Sequence, residues 1–334
     1  MRHSAPGTTL EMDNGMHKTK IGRTGVEITA IGFGTSGLGD MPDTYGYAVD
    51  EERAQATVRA IFDGPANLID TSRNYGAGRS EQRIGDVIRE RGGLPEGFVV
   101  STKLDRDMDS GRFDASQARR SLEESLRVLG IDRVDILHVH DPEYADVAEV
   151  AGPQGAVREL MRMKEEGLAR AVGLAAGRVD VMMPILRDFD FDAIVTHNRF
   201  TLANRNAGPM MDYCTSRGIA VLNAAPYASG VLAKGVAAYP RYVYQEAGDA
   251  ALDPIRRIEE VCARHGVPAG AAALQFSMRD QRVTSTICGV TRPERVLHTV
   301  EWAEWPIPDA LWTELTALPF ATDDPEAARD YKPG

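Results

Sequence analysis

The tightest constraint on this chain is an alternation that runs along nearly all of it. Short runs rich in β-branched residues are followed, again and again, by longer amphipathic segments. Successive strand–helix units produce this pattern, because strands repeat their apolar side chains every second residue and helices every 3.6. The first run, Thr29–Gly34, leads to a helix predicted over Glu51–Phe62 with Asp50 as N-cap. Strand Asn67–Asp70 precedes a helix from Glu81 to about Glu90, with Ser80 as its cap. Strand Phe98–Lys103 precedes a helix over Ala115–Leu129, opened by Asp114 and Gln117 in capping-box spacing and closed by Gly130. Strand Val134–His140 leads to a helix ending near Glu166–Gly167.

The pairs continue with strand Ala169–Leu174 and helix Val179–Arg187, then strand Ala193–Thr196 and helix Ala207–Arg217. Strand Ala220–Asn223 is separated by a long loop from helix Pro254–His265, and Thr284–Cys288 with Pro293–Glu301 completes eight pairs. Eight such units close into an α/β (β/α)8 TIM barrel more naturally than they spread into an open sheet. Ahead of them, Thr19–Ile21 and Val26–Ile28 flank a Gly22–Gly25 turn, which predicts a β-hairpin plugging the barrel bottom. The expected organisation is a flexible leader over 1–16, a single barrel domain over 17–320 and a C-terminal tail over 321–334.

Composition narrows the function. A formal net charge of −11 at pH 7 argues against nucleic acid or an anionic membrane surface as the main partner, but allows a local basic pocket for a phosphorylated cofactor. Cys214, Cys262 and Cys288 are too few and too scattered for a disulfide framework or a zinc site, so they read as reduced thiols of a cytoplasmic protein. The leader has no apolar core such as a signal peptide needs, and no uncharged apolar run reaches the roughly 20 residues of a membrane helix.

Gly32, Gly34 and Gly37 spell the dinucleotide fingerprint G-x-G-x-x-G after an apolar strand. That fingerprint requires a helix at its third glycine, and Gly39, Pro42 and Gly46 forbid one here. The strand ends carry a better signal. Asp70 ends the second strand with Tyr75 five residues on, Lys103 ends the third and His140 the fourth. In a barrel these positions face one mouth. Singly they read as a cap, a loop aromatic, a solvated charge and a core histidine; four in register point to catalysis. A lysine beside a phenol favours the phenolate, an aspartate holds that lysine, and a histidine orients a substrate oxygen or relays its proton. The set suits proton exchange at an alcohol oxygen while another group handles the hydride.

The segments Asp70–Gly85 (DTSRNYGAGRSEQRIG), Ser101–Lys103 (STK) and Leu129–Pro142 (LGIDRVDILHVHDP) resemble, in that order, the motifs of the aldo-keto reductases. The similarity spans roughly residues 18 to 318. It implies a catalytic tetrad of Asp70, Tyr75, Lys103 and His140, with Tyr75 as the acid–base, and NAD(P) held without a Rossmann domain. By the same resemblance, Gly34, Thr35, Asp70, His197, Asn198, Ala225, Ser229, Gly230, Leu232, Gly289, Thr291 and Arg295 are expected to bind the cofactor. Thr196–Leu202 and Asn223–Gly235 are most similar to sugar and pyridoxal dehydrogenases within the family.

Several positions depart from the family pattern. Ala175-Ala176 stand where Ser-Asn commonly holds the nicotinamide carboxamide, His197-Asn198 where a Gln is usual, and Ala224 where a Tyr stacks on the ring. His197 or Asn198 is expected to supply the missing donor. In the last loop Arg295 fits a position that pairs with a 2′-phosphate or is simply a solvated helix residue. Gly289 replaces a lysine of NADP-specific members, which favours NAD over NADP, with Thr291 and Arg292 as possible substitutes for the lost cation. Asp141 occupies a position often held by an aromatic; it suits a hydroxyl-rich substrate, or else pairs with an arginine or caps the next turn. Tyr75, His140 and Asp141 are thus the expected substrate contacts, for a small carbonyl or hemiacetal oxidised to a lactone, with a general aldehyde or ketone reductase as the alternative. Two rivals differ in class: a metal-dependent hydrolase built on His138 and His140, and a non-catalytic cofactor-binding subunit.

Overall fold

The computed structural model describes residues 16–327 and 329, so the leader lies outside it except for Met16, as do residues 328 and 330–334. A hairpin comes first: β1 (Lys18–Lys20) pairs antiparallel with β2 (Glu27–Thr29). Eight parallel strands follow in a closed barrel: β3 (Ile31–Gly34), β4 (Leu68–Asp70), β5 (Val99–Leu104), β6 (Val134–His140), β7 (Ala169–Ala176), β8 (Ala193–His197), β9 (Ala220–Ala224) and, after the two-residue pair β10 (Arg241–Tyr242) and β11 (Gln245–Glu246), β12 (Val283–Gly289). The ring closes where β12 pairs with β3, Ile287 against Gly32.

The helices are α1 (Pro42–Tyr45), α2 (Glu51–Phe62), α3 (Arg79–Arg91), α4 (Ala115–Leu129), α5 (Val147–Ala151), α6 (Ala156–Glu165), α7 (Val179–Asp188), α8 (Gly208–Ser216), α9 (Val231–Lys234), α10 (Asp249–Arg264), α11 (Ala269–Met278), α12 (Pro293–Ala303) and α13 (Asp309–Ala317). Caps explain several boundaries. Asp50 accepts from the Arg53 amide and Asp114 from the Gln117 amide, each at 2.8 Å. Gly130 closes α4 at φ 72°, a left-handed conformation that costs glycine little. The expected capping box is only half made, because the Gln117 side chain donates to the Asp105 carbonyl instead. Ser80 is not a cap: α3 starts at Arg79, and the Ser80 hydroxyl reaches Thr35.

A larger difference concerns the seventh barrel helix. The segment expected to fill that place runs over Asp249–Arg264 as α10, and it lies outside α11, against α13. The helix that packs on β12 is α11, which also meets α12 so closely that a Cβ on Gly270 would overlap the Trp302 ring.

The interior has two levels. At the N-terminal ends of the strands Leu68, Val99, Ile136, Ala171, Ala193, Ala220 and Leu222 point inward, and Ile21, Val26 and Ile28 of the hairpin fill the space between them. That end is a dry, apolar floor, as the plug reading expected. At the C-terminal ends of β4, β5 and β6 the cavity-facing positions become polar, with Asp70, Lys103 and His140, and the cavity opens there. Among the described residues no helix is long and apolar enough to cross a membrane.

Candidate active site

Asp70, Lys103 and His140 come from the upper ends of three adjacent strands, and Tyr75 from the turn that follows β4. That turn is tight: Gly76 sits at φ 61° against Gly39, where a Cβ would overlap backbone, so only glycine can follow the tyrosine. Lys103 is 1% exposed, and its Nζ donates to Asp70 Oδ1 at 2.7 Å and to the Thr71 carbonyl at 2.6 Å. Ser101 donates to the other Asp70 oxygen at 2.8 Å. The ammonium lies 4.7 Å from the Tyr75 ring centroid, over its face. The tetrad residues are therefore brought together around one point.

The electrostatics differ from the sequence expectation. Burial, and after it the Asp70 carboxylate, hold the Tyr75 phenol well above its ordinary value of 10, with Tyr45, Asp141 and Tyr244 adding to the rise. Lys103 is committed to Asp70, so its pull on the phenol does not decide the balance. His140 goes the other way from most buried histidines. Burial disfavours its charge, but Asp141 and Asp105 outweigh that and hold the imidazole above 6.5. Its Nδ1 lies 2.6 Å from Asp105 Oδ1, and its ring meets Tyr75 edge-on with centroids 5.7 Å apart. Sequence reasoning missed Asp105. A usable signal existed: it stands two residues after Lys103, and alternation along a strand places both on the same side.

Asp141 adopts a left-handed φ of 44°, makes no side-chain cap bond to the following turn, and lies 3.7 Å from His140 Nε2 inside the cavity. Among the described residues neither alternative for it, an arginine pair or a side-chain cap, is present. His138 lies one level deeper, with Nε2 3.4 Å from the Ser101 hydroxyl and its charge suppressed by burial and by Lys103. Among the described residues no group of three His, Cys, Asp or Glu side chains could hold a metal ion.

The tetrad lies at one end of a cavity of about 1100 Å³, large enough for a dinucleotide together with a small substrate. Of the residues expected at the cofactor, Gly34, Asp70, His197, Ala225, Ser229, Gly230, Gly289, Thr291 and Arg295 line it. Thr35, Asn198 and Leu232 do not. Thr35 is fully buried, with its hydroxyl on the Asp70 carbonyl; Leu232 belongs to the core, and its amide donates to the Tyr227 carbonyl. Asn198 is 1% exposed and spends its amide on Glu326 and its oxygen on Ser229. It is thus no donor toward the cavity, whereas His197 reaches the wall with Nε2 3.3 Å from Glu326 Oε1. Ala175, Ala176, Ala224 and Gly34 leave the floor beside the tetrad free of bulky side chains.

The far end of the cavity is cationic, more so than sequence reading foresaw. Lys234 and Arg241, which that reading did not name, join Arg292 and Arg295 there. Lys234 is pulled down to about 8, first by burial and then by Arg295, Arg292 and Arg241. Its ammonium lies 3.7 Å from the centroid of the Tyr239 ring and 4.1 Å from that of Tyr47. Arg295 is positioned by His298, with Nη1 2.7 Å from Nδ1, and stacks on Trp302. Clustered cations of this kind suit phosphates. Tyr239 donates to the Tyr45 carbonyl at 2.9 Å and Arg241 to the Thr44 carbonyl at 3.1 Å, so the chain after α9 spans this end of the cleft.

A (β/α)8 barrel with an Asp–Tyr–Lys–His set at its mouth and a cation-lined cleft beside it defines a class of nicotinamide-dependent oxidoreductase. Residues 30–319 match the Aldo/keto reductase family, and the chain belongs to it. It is 30% identical to D-threo-aldose 1-dehydrogenase of Pseudomonas sp, covering 87% of this chain and 94% of that one. It is also 30% identical to pyridoxal 4-dehydrogenase of Microbacterium luteolum, covering 89% of this chain and 96% of that one. An aldo-keto reductase of Bacillus halodurans in its holo form shares the fold at a TM-score of 0.72 and 19% identity, over 94% of this chain and 100% of that one.

Proposed function

We propose that this oxidoreductase oxidises a cyclic hemiacetal, of a sugar or of pyridoxal, to the corresponding lactone. The observation that carries this reading is Asp141, a carboxylate facing the cavity beside His140 where an aromatic wall would suit an apolar aldehyde. The likeness to an aldose dehydrogenase and a pyridoxal dehydrogenase supports it.

The residues present fit a nicotinamide dinucleotide. Small side chains at Gly34, Ala175, Ala176 and Ala224 leave room for a flat ring near Tyr75, and the four cations at the other end suit its phosphates. When bound, the nicotinamide accepts the hydride in oxidation and returns it in reduction. The preference for NAD expected from Gly289 counted one lost lysine against Arg295, with Thr291 and Arg292 as substitutes. With Lys234 and Arg241 added to Arg292 and Arg295 in the same cleft, we read the site as accepting both NAD and NADP.

The protein's own part is proton handling and orientation. Tyr75 meets the reacting oxygen, gives its proton in reduction and takes the hydroxyl proton in oxidation. Lys103 and Asp70 fix the place of the phenol ring, and Asp141 accepts a hydrogen bond from a neighbouring substrate hydroxyl. A hemiacetal C–H is a better hydride donor than that of a simple alcohol, since the ring oxygen stabilises the positive charge developing at that carbon. Supplying aldoses, pyridoxal and simple aldehydes with either cofactor and identifying the oxidised product tests the reading. A lactone, trapped as a hydroxamate, is expected. If aldoses and pyridoxal yield no reduced cofactor while apolar aldehydes are reduced efficiently, the enzyme is a general carbonyl reductase.

A further inference from the structure

The site holds a carboxylate that the reaction as described above does not use. Asp105 lies just past the end of β5 and is 4% exposed. Three groups converge on it. His140 Nδ1 is 2.6 Å from Oδ1, while Oδ2 accepts from the Ser72 hydroxyl at 2.7 Å and from the Asn74 amide at 3.0 Å. These contacts pin both oxygens. A carboxylate with two donors on one oxygen leaves the other to accept, so His140 must present N–H at Nδ1. In the neutral ring the lone pair is then at Nε2. That nitrogen faces the cavity and Asp141, beside the Tyr75 ring.

We propose that Asp105 is a positioning residue for the hydride-transfer reaction: it fixes the His140 tautomer so that Nε2 exchanges the proton that Tyr75 takes from, or gives to, the substrate. This rests on the oxidoreductase reading above and deepens it. In oxidation the substrate O–H proton passes to the Tyr75 oxygen as the Tyr75 proton passes to His140 Nε2. The carbinol C–H pair leaves as hydride for the nicotinamide, C=O forms, and His140 ends as the imidazolium. Reduction reverses each transfer. The relay gives the Tyr75 proton an acceptor, where burial and then Asp70 hold the phenol above its ordinary value.

The charged groups around His140 are accounted for. Asp105 faces it from β5 and Asp141 from its own strand end, and both favour the imidazolium. Lys103 on β5 opposes it, and the neighbouring His138 on β6 is held neutral by burial and Lys103. Tyr75 from the β4 turn is neutral. The two carboxylates prevail, so His140 protonates above the ordinary histidine range.

The test uses Asp105→Asn, whose amide oxygen keeps Ser72 and Asn74 while its NH2 turns to His140 Nδ1 and forces the opposite tautomer. The turnover rate with the substrate found active is expected to fall on the order of 10²-fold. The acidic limb of oxidation is expected to move to lower pH by about one unit or more, since the carboxylate no longer favours the imidazolium. Asp105→Glu keeps the charge and is expected to keep the wild-type pH dependence at a reduced rate. Independently of turnover, NMR titration of the wild-type protein, with the His140 signal assigned through His140→Gln, is expected to show protonation above 6.5 and Nδ1–H in the neutral ring. A His140 that titrates at or below 6.5, or Asp105→Asn with an unshifted pH profile and a rate within threefold of wild type, overturns the proposal. Absence of any turnover would instead count against the oxidoreductase reading, because the NMR result stands without substrate.

Discussion

The two ends of the cavity handle charge in opposite ways. At the tetrad end the buried lysine and histidine each have a counter-charge in the protein: Lys103 on Asp70, His140 on Asp105. At the other end Lys234, Arg292 and Arg295 crowd together; burial first, and then the repulsion of the neighbouring guanidiniums, lowers the affinity of Lys234 for its proton. The first arrangement is preorganised and needs no ligand to hold its shape. The second is tense until an anion arrives. On the function proposed above, reaction chemistry falls where the charges are settled, and affinity where they are not.

Substitutions should separate the two ends cleanly. Tyr75→Phe is expected to lower turnover by about 10²–10⁴-fold while leaving cofactor binding, followed by fluorescence quenching, nearly unchanged. Retention of more than a tenth of the activity would remove Tyr75 from the acid–base role. Lys103→Met leaves Asp70 buried without its cation. It is expected to cost about 3–5 kcal/mol of stability in denaturant titration, a penalty that a solvated pair would not show. At the cationic end Lys234→Met is expected to weaken cofactor binding by about 1.5–3 kcal/mol, roughly ten- to 150-fold in Kd, with the fold's stability unchanged or raised. A stability loss as large as that of Lys103→Met would erase the contrast.

The smallest effect concerns protons. Free Lys234 is half protonated near pH 8, and phosphates favour its charged form. Cofactor binding at that pH should therefore take up protons, detected as a dependence of the calorimetric heat on buffer ionisation enthalpy. Affinity should decline as pH rises past about 8. Binding without proton uptake would place the phosphates away from Lys234.

How much the sequence discloses depends on what each segment faces. Strand ends were legible to within a residue or two, because an inward–outward alternation survives in the letters. The tetrad was legible because Asp70, Lys103 and His140 lie at the ends of successive strands, with Tyr75 five residues past the first of them. Helix α11 was not: Gly270, Ala271, Ala272, Ala273 and Leu274 are buried consecutively, so no polar face marks its period. The outer helix α10, amphipathic and half-exposed, looked like the barrel partner in its place. Lys234 lay hidden for another reason. It sits in a four-residue helix, and nothing local tells that the chain folds back to set it beside Arg292 and Arg295. Asp105 lay one position beyond its strand, where the alternation still held but the pattern had been taken to stop.

The hairpin plug has a consequence for the order in which the molecule can form. Ile21, Val26 and Ile28 leave the ribosome before any barrel strand, yet the floor they seal includes Ala220 and Leu222, and the wall around it shuts only when Ile287 reaches Gly32. The whole barrel must exist before the hairpin has anywhere to go. Loop closure between partners so distant along the chain is slow. During synthesis these three side chains are a sticky end looking for a surface, and a transcript cut short before β12 would leave them so for good. Such a fragment is expected to associate with itself or with chaperones, and appending the missing segment is what would release it.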